Sequence, residues 1–356
     1  MSIAQVEWID YDSGRENADG EPKLWRAVRV TTDEGAWGWA QWTWGAAGAE
    51  EDRRRAASLL VGHDPWPAET CRDLLWESDI HGPVPHLVDI ALWDLRGRAE
   101  GKPVHALLGA RRDRVRAYVS SPFNVGGGRP PAYAAEAAEV RDRGFHGYKV
   151  HPTHNDEWSP GKAGGDVETD IAIARAVREA IGDDPDFGLM WDNYHTYDYD
   201  EAVRVGRVLG ELGYEWYESP LWDTDDYIPQ YVRLREELDI PLCAPETNEG
   251  DHASRIRWME AGACDINRID FWYGGVSSIR AVIEACRGQD MPLDLHTGHY
   301  SHLQLIGATE EETIPWFEHY ATSPTVEFED GCALVPDTPG MGMEPDWEYI
   351  ESRRVE

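Results

Sequence analysis

The sequence predicts an α/β protein: a (β/α)₇₋₈ barrel of the TIM type carrying an N-terminal α+β capping domain. Three observations carry that expectation. Beyond residue 113, short apolar segments alternate with helical ones, the rhythm of repeated βα units. Asp192, Glu218 and Glu246 each close one of those apolar segments (GLMWD, YEWYE, IPLCAPE) and lie 26 and 28 positions apart, one strand-helix repeat each. The first hundred residues have a different rhythm, strands and then helices, and a chain of 356 residues accommodates a barrel of about 250 plus roughly a hundred more.

In chain order, AQVEWIDYD, KLWRAVRVTTDEG and WGWAQW alternate as strands, with the polar stretch SGRENADGEP read as the loop between the first two. AEEDRRRAASLLVG, AETCRDLLWES and PHLVDIALWDLRGRAEG place apolar residues three and four apart, as helices do. The last of them stops at Gly101, with Pro103 just beyond. The capping domain is therefore assigned to residues 1–112. Strand candidates follow at VRAYVS, GYKVH, FGLMW, YEWYE, IPLCA, CDINRID, PLDLH and PWFEH, separated by helices such as DIAIARAVREAIG and VSSIRAVIEACRG. The barrel is assigned to 113–325, and 326–356 to a tail packing back on the cap. The polar, glycine-rich PTHNDEWSPGKAGGD (152–166) fits neither element and is read as an active-site loop after the second strand.

Composition narrows the function classes. A formal charge of −34 excludes the basic footprint of a nucleic-acid binder. Lysine occurs only at 23, 102, 149 and 162, and so large a carboxylate excess is expected of a protein working in concentrated salt, where screening removes the self-repulsion. Cys71, Cys243, Cys264, Cys286 and Cys332 are scattered, without CxxC pairing, and read as reduced core residues. MSIAQVEWID lacks a basic-then-apolar signal pattern, and no run of about 18 apolar residues occurs, so neither export nor membrane spanning is indicated and a cytoplasmic location is the default.

The strand ends hold the chemistry, because in such a barrel the C-terminal ends of the strands converge on one face. A single acid ending a strand means little in a chain with 67 acidic residues, but three in register form a ligand set. Hard oxygen ligands with no thiolate nearby favour Mg²⁺ for Asp192, Glu218 and Glu246. Lys149 and His151 follow the second strand and point the same way by alternation. Asp270 ends the sixth strand and His296 the seventh, so the carboxylate is placed to orient the imidazole and raise its basicity. His299 and His302 lie close enough to compete, His302 heading a helical segment. Glu318, after the eighth strand, is expected either to donate a hydrogen bond to a substrate carboxylate when protonated or to serve as a polar rim residue. Together these groups are the kit for removing a proton α to a carboxylate and stabilising the enediolate that develops.

At these residues the chain resembles the enolase superfamily, mandelate racemase subgroup. The similarity runs through PHLVDIALWDLRGRAEGKPVHALLGA (85–110), GFHGYKVH, LMWD, WYESPL and CDINRID followed by GGVSSIRAVIEAC. It implies a capping domain closing over the barrel, Mg²⁺ on the three carboxylates, bases from strands two and seven, and a homo-oligomer. The chain also departs from the family pattern. Where Lys-x-Lys is usual it has Lys149-Val150-His151. The usual asparagine two positions after the first ligand is displaced to Asn193, with Tyr194 and His195 following, which makes His195 a candidate acid near a leaving group. Asp270 stands one residue too close to Gly274-Gly275, so that counting back lands on Ile269.

The leading expectation is Mg²⁺-dependent dehydration of a sugar acid to a 2-keto-3-deoxy acid. His296, oriented by Asp270, works on one face, and Lys149 or His151 on the other. A racemase or epimerase of a 2-hydroxy acid is the first alternative. A catalytically impaired barrel that keeps a metal- or ligand-binding role is the second.

Overall fold

A computed structural model describes residues 1–16, 21–43, 48–123, 125–152, 166–246, 252–271, 274–320 and 326–355. Most of the expected active-site loop (153–165), parts of two cap loops (17–20 and 44–47) and the barrel's assigned end (321–325) lie outside the described residues.

The chain opens with β1 (Ile3–Glu16), β2 (Pro22–Thr32) and β3 (Trp37–Trp42), an antiparallel sheet in that order. Of the polar stretch expected to be a loop (13–22), Ser13–Glu16 and Pro22 belong to strands. β1 runs on through Ser13 to Glu16, with a register shift between Asp12 and Glu16, and the Ser13 hydroxyl donates to the Lys23 carbonyl at 2.6 Å. A bulge and that bond accommodate polar residues that pattern alone assigns to a turn.

Helices α1 (Glu50–Leu60), α2 (Ala68–Glu77) and α3 (Pro83–Glu100) follow. Helix α3 is buried almost throughout, from Val84 to Leu95, and stops at Gly101 in the left-handed conformation. It packs so closely under β3 that a Cβ on Gly38 would lie 2.2 Å from the Ala91 carbonyl oxygen. Its buried Asp94 accepts from the Trp39 amide at 3.0 Å on one side and the Met341 amide at 2.8 Å on the other.

Short helix α4 (Val104–Leu108) leads into the barrel: β4 (Arg114–Ser120), α5 (Pro130–Asp142), β5 (Gly147–Val150), α6 (Val167–Ile181), β6 (Gly188–Asp192), α7 (Tyr199–Glu211), β7 (Trp216–Glu218), α8 (Ile228–Glu237), β8 (Leu242–Cys243), α9 (His252–Glu260), β9 (Asn267–Asp270), α10 (Gly275–Gly288), β10 (Leu293–His296), α11 (Tyr300–Gly307) and β11 (Phe317–His319). All eight expected strands form. β4 to β8 pair in parallel, a Cys243–Ile266 bridge continues the ring, β9 pairs β10, and β11 returns to β4. After it come β12 (Phe328–Glu329), β13 (Cys332–Leu334), which adds antiparallel to β4, and α12 (Trp347–Ser352), whose Trp347 packs edge-on against Trp37 and Trp39 of the cap sheet. On the barrel side of the cap, the second buried acid of α3, Asp89, accepts from the Ser277 amide of α10 at 2.9 Å.

Alternate residues of the strands point inward and stack in layers drawn from alternate strands. Nearest the strand N-termini, Trp216, Ile266 and Trp316 belong to one apolar cluster. The next layer is Tyr118, Met190, Cys243 and Asp294. Two residues further along the first set of strands lie Lys149, Glu218, Arg268 and Glu318, all buried.

One buried acid ties a helix to the site loops. Tyr197, in the segment after β6, donates to Asp170 on α6 at 2.6 Å, and burial pushes the Asp170 carboxyl from its ordinary 3.8 to about 7. The folded chain therefore keeps this proton at pH values where the unfolded chain has released it, so its contribution to stability is complete below about pH 4 and is lost by about pH 7. Asp170→Asn keeps the acceptor for Tyr197 and removes the titration. The melting temperature of the variant relative to wild type is expected to climb between pH 4 and 7; a difference independent of pH would refute the account.

Candidate active site at the C-terminal ends of the barrel strands

Asp192 ends β6 and is paired in register with Glu218 at the end of β7, while Glu246 follows β8 by three residues. The three are buried, and each offers an oxygen within 4.8 Å of the others. Each is fixed differently. Asp192 accepts from the Tyr194 amide at 2.9 Å, and Glu218 from the Trp216 indole at 3.3 Å. Glu246 donates its backbone amide to Asp223, while its Oε2 has no hydrogen-bond partner among the described residues. Burial pushes the Glu246 carboxyl well up, Asp192 and Glu218 adding to it against the pull of Arg268. An oxygen-only set of crowded, buried carboxylates with an orphaned oxygen fits a hard divalent cation.

Beneath it lies a ring of alternating charge. Lys149 Nζ is 2.9 Å from Glu218 and 2.6 Å from Glu318, and Arg268 reaches the other oxygens of the same two acids at 2.7 and 3.0 Å. Arg268 is also hydrogen-bonded to Asp294 in the layer below. Burial and Arg268 work against the Lys149 charge, but Glu218 and Glu318 outweigh both and hold the amine well above the ordinary lysine value. Glu318 is buried in this ring and not on the rim. It accepts from Ser120 at 3.0 Å and from the Thr297 amide at 2.7 Å, and Lys149 with Arg268 outweighs burial to hold it well below the usual carboxylate range.

Two imidazoles stand on the ring. His151 Nδ1 faces the Ser121 carbonyl at 2.7 Å, and its Nε2 faces Asp192 at 3.0 Å. His296 Nδ1 meets Asp270 at 2.6 Å, and its Nε2 lies 3.1 Å from Glu246. The parallel register of β9 and β10 places Asp270, not Ile269, beside His296. Phe123 and Tyr320 flank His151, with ring centroids at 4.7 and 6.4 Å. His195 turns elsewhere: it stacks on Trp222 and pairs with Asp223 at 3.3 Å, which outweighs burial and raises its pKa. His299 caps α11 through Ser301 and stacks on Phe271, and burial lowers its pKa well below the ordinary value. His302 is bonded to the Thr297 carbonyl at 2.8 Å. Both are thereby committed to packing.

Sequence reading missed Arg268, Asp294 and Asp223. The first two were within reach, since each stands two residues before a residue already singled out and so shares its inward face. Asp223 has no such signal: its contacts to Ser219, the Glu246 amide and His195 join three separate loops. Backbone strain gathers at the same loops. Tyr194, His195, Ser219 and Thr297 have φ of 51°, 62°, 38° and 63°, each within three residues of a strand end that carries a site group.

Comparison with known proteins agrees with this architecture. Residues 132–349 match the enolase C-terminal domain-like family, and residues 24–109 the mandelate racemase/muconate lactonizing enzyme N-terminal domain. D-galactarolactone cycloisomerase of Agrobacterium fabrum is 29% identical over 92% of this chain and 90% of its own length. Arabinonate dehydratase of Saccharolobus solfataricus is 30% identical over 72% of this chain and 68% of its own. The crystal structure of D-glucarate dehydratase from Agrobacterium tumefaciens complexed with magnesium superimposes with a TM-score of 0.87 at 29% identity, covering 100% of both chains. Among the described residues no helix is long and apolar enough to cross a membrane. With its capping domain, its barrel and its carboxylate trio at the strand ends, the chain belongs to the enolase superfamily, in the mandelate racemase/muconate lactonizing enzyme branch.

Proposed function

We propose that the protein is a Mg²⁺-dependent hydro-lyase that converts a sugar acid to a 2-keto-3-deoxy acid. The observation that carries the reading is the pair of imidazoles, each anchored through Nδ1 and each turning Nε2 toward the ligand carboxylates, His296 from β10 and His151 from β5. The names of the dehydratase relatives support the substrate class.

When bound by Asp192, Glu218 and Glu246, Mg²⁺ supplies positive charge for the substrate carboxylate and for the negative charge that grows on it. Lys149, paired with Glu218 and Glu318, adds a second cation. His296 takes the α-proton through Nε2, and Asp270 stabilises the imidazolium that forms. His151 has a neutral carbonyl where His296 has a carboxylate. It delivers the proton with which the 3-hydroxyl departs as water, and the resulting enol tautomerises to the keto acid. His195, buried on Asp223, serves as a positioning group for the loop after β6 rather than as the acid.

A second reading, epimerisation of a 2-hydroxy acid, draws on the same two imidazoles, because bases on two walls serve both faces of one carbon. The D-galactarolactone cycloisomerase relative keeps isomerase chemistry in view. Incubating a panel of sugar acids with Mg²⁺ in D₂O separates the two. Dehydration yields a 2-keto-3-deoxy acid, whereas epimerisation returns deuterated substrate in both configurations. Neither product from any acid would end both readings.

His296→Asn is expected to lower turnover by about a thousandfold and to abolish α-proton exchange. His151→Asn is expected to stop water loss while exchange continues. If both variants lose exchange equally, the division of roles is wrong. The charge of −34 further implies function at high ionic strength. Raising KCl from about 0.1 to about 2 M should raise the melting temperature, and a flat or falling response would contradict that reading.

A further inference from the structure

The two cations of the buried ring touch the same two glutamates, yet they stand in different places. Lys149 Nζ is on the ligand side. It contacts both oxygens of Glu218, at 2.9 and 3.1 Å, and lies 3.6 Å from Asp192, so two of the three candidate metal ligands already share one ammonium. Arg268 also approaches two of the three, but it is tied from beneath. It holds one Glu218 oxygen at 2.7 Å and Glu318 at 3.0 Å, is bonded to Asp294 in the layer beneath, and comes no nearer than 3.7 Å to Glu246. The chemistry of the side chains matches: lysine is a compact point charge on a flexible stem, arginine a rigid fork that fixes what it binds.

We propose that the ring divides its labour: Lys149 is the exchangeable cation, which gives up Glu218 to the incoming metal, and Arg268 is the positioning residue that holds Glu218 and Glu318 while it does so. The inference rests on the metal site proposed above. A cation entering between Asp192, Glu218 and Glu246 competes with Lys149 for the same Glu218 oxygens and repels its ammonium. Glu318, 2.6 Å from the ammonium, is the acceptor that keeps Lys149 in the cavity after the exchange. Lys149 therefore sets the metal affinity.

Calorimetric titration of the full chain with MgCl₂ tests this through the sign of two substitutions. Lys149→Met removes the competitor, and Mg²⁺ should bind about tenfold more tightly. Arg268→Met removes the clamp, and binding should weaken about tenfold. If bulk charge alone governed affinity, both variants would bind more tightly; if both residues merely packed the core, both would bind more weakly. Either result, or no change, overturns the proposal. Wild type that binds no Mg²⁺ at all would instead remove the metal site itself. If either variant fails to fold, ¹⁵N-lysine labelling of wild type decides the matter, since the chain has only four lysines. The buried ammonium signal should shift as MgCl₂ is added, and a signal that stays in place overturns the exchange.

Discussion

Four charged side chains occupy a layer of the barrel that is commonly filled by branched aliphatics, and the site depends on how they neutralise one another. Isolated charges at that depth would be costly, and a single buried pair contributes little net stability. Closing Lys149, Glu218, Arg268 and Glu318 into an alternating ring gives every one of them two partners of opposite sign. The ring is neutral in itself. Asp192 and Glu246 above it, and Asp294 below, are the excess. Among the described residues, the cations that meet the side chains of that excess are Lys149, Arg268 and the imidazoles, and the crowded carboxylates above the ring suit this end of the barrel to a divalent ion.

The cap is held to this arrangement by the most buried helix of the first domain. Asp94 of α3 receives amides from β3 and from the tail, while Asp89 receives the Ser277 amide and hydroxyl from α10. The burial of two carboxylates on one helix is tolerated because each is saturated with donors. Gly38 adds the third condition, letting β3 approach the α3 backbone where a side chain would collide with it. The similarity in residues 85–110 thus has a physical content: the segment is the joint between sheet, tail and barrel.

Much of this could be read from sequence because the relevant signals are local. Eight strands followed from eight apolar segments. The carboxylate trio followed from spacing, and the Asp270–His296 contact from the fact that both end neighbouring strands. What escaped depends on what surrounds a residue. Glu318 is the same glutamate whether it sits on a rim or between two cations, and its charge state is decided by Lys149 and Arg268. Asp223 draws two of its partners, His195 and the Glu246 amide, from other loops. Strands as short as Phe328–Glu329, and a helix of six residues at Trp347–Ser352, are too brief to show a period. Ser13 to Glu16 misled in the other direction, since polar residues in a bulged hairpin look like a turn.

The floor of the barrel also shapes traffic through it. Trp216 and Trp316 press edge-on against Tyr118 at 5.5 and 6.1 Å, and the Arg116 guanidinium lies 3.9 Å over the Trp316 ring. Indoles and a phenol packed edge to face leave the well blind at its lower end, so any molecule that comes in must go out by the same mouth. Departure is then a reversal of arrival, and whatever covers the mouth governs both. Loop sequences around such a well can change which molecules pass without disturbing the charges at its base.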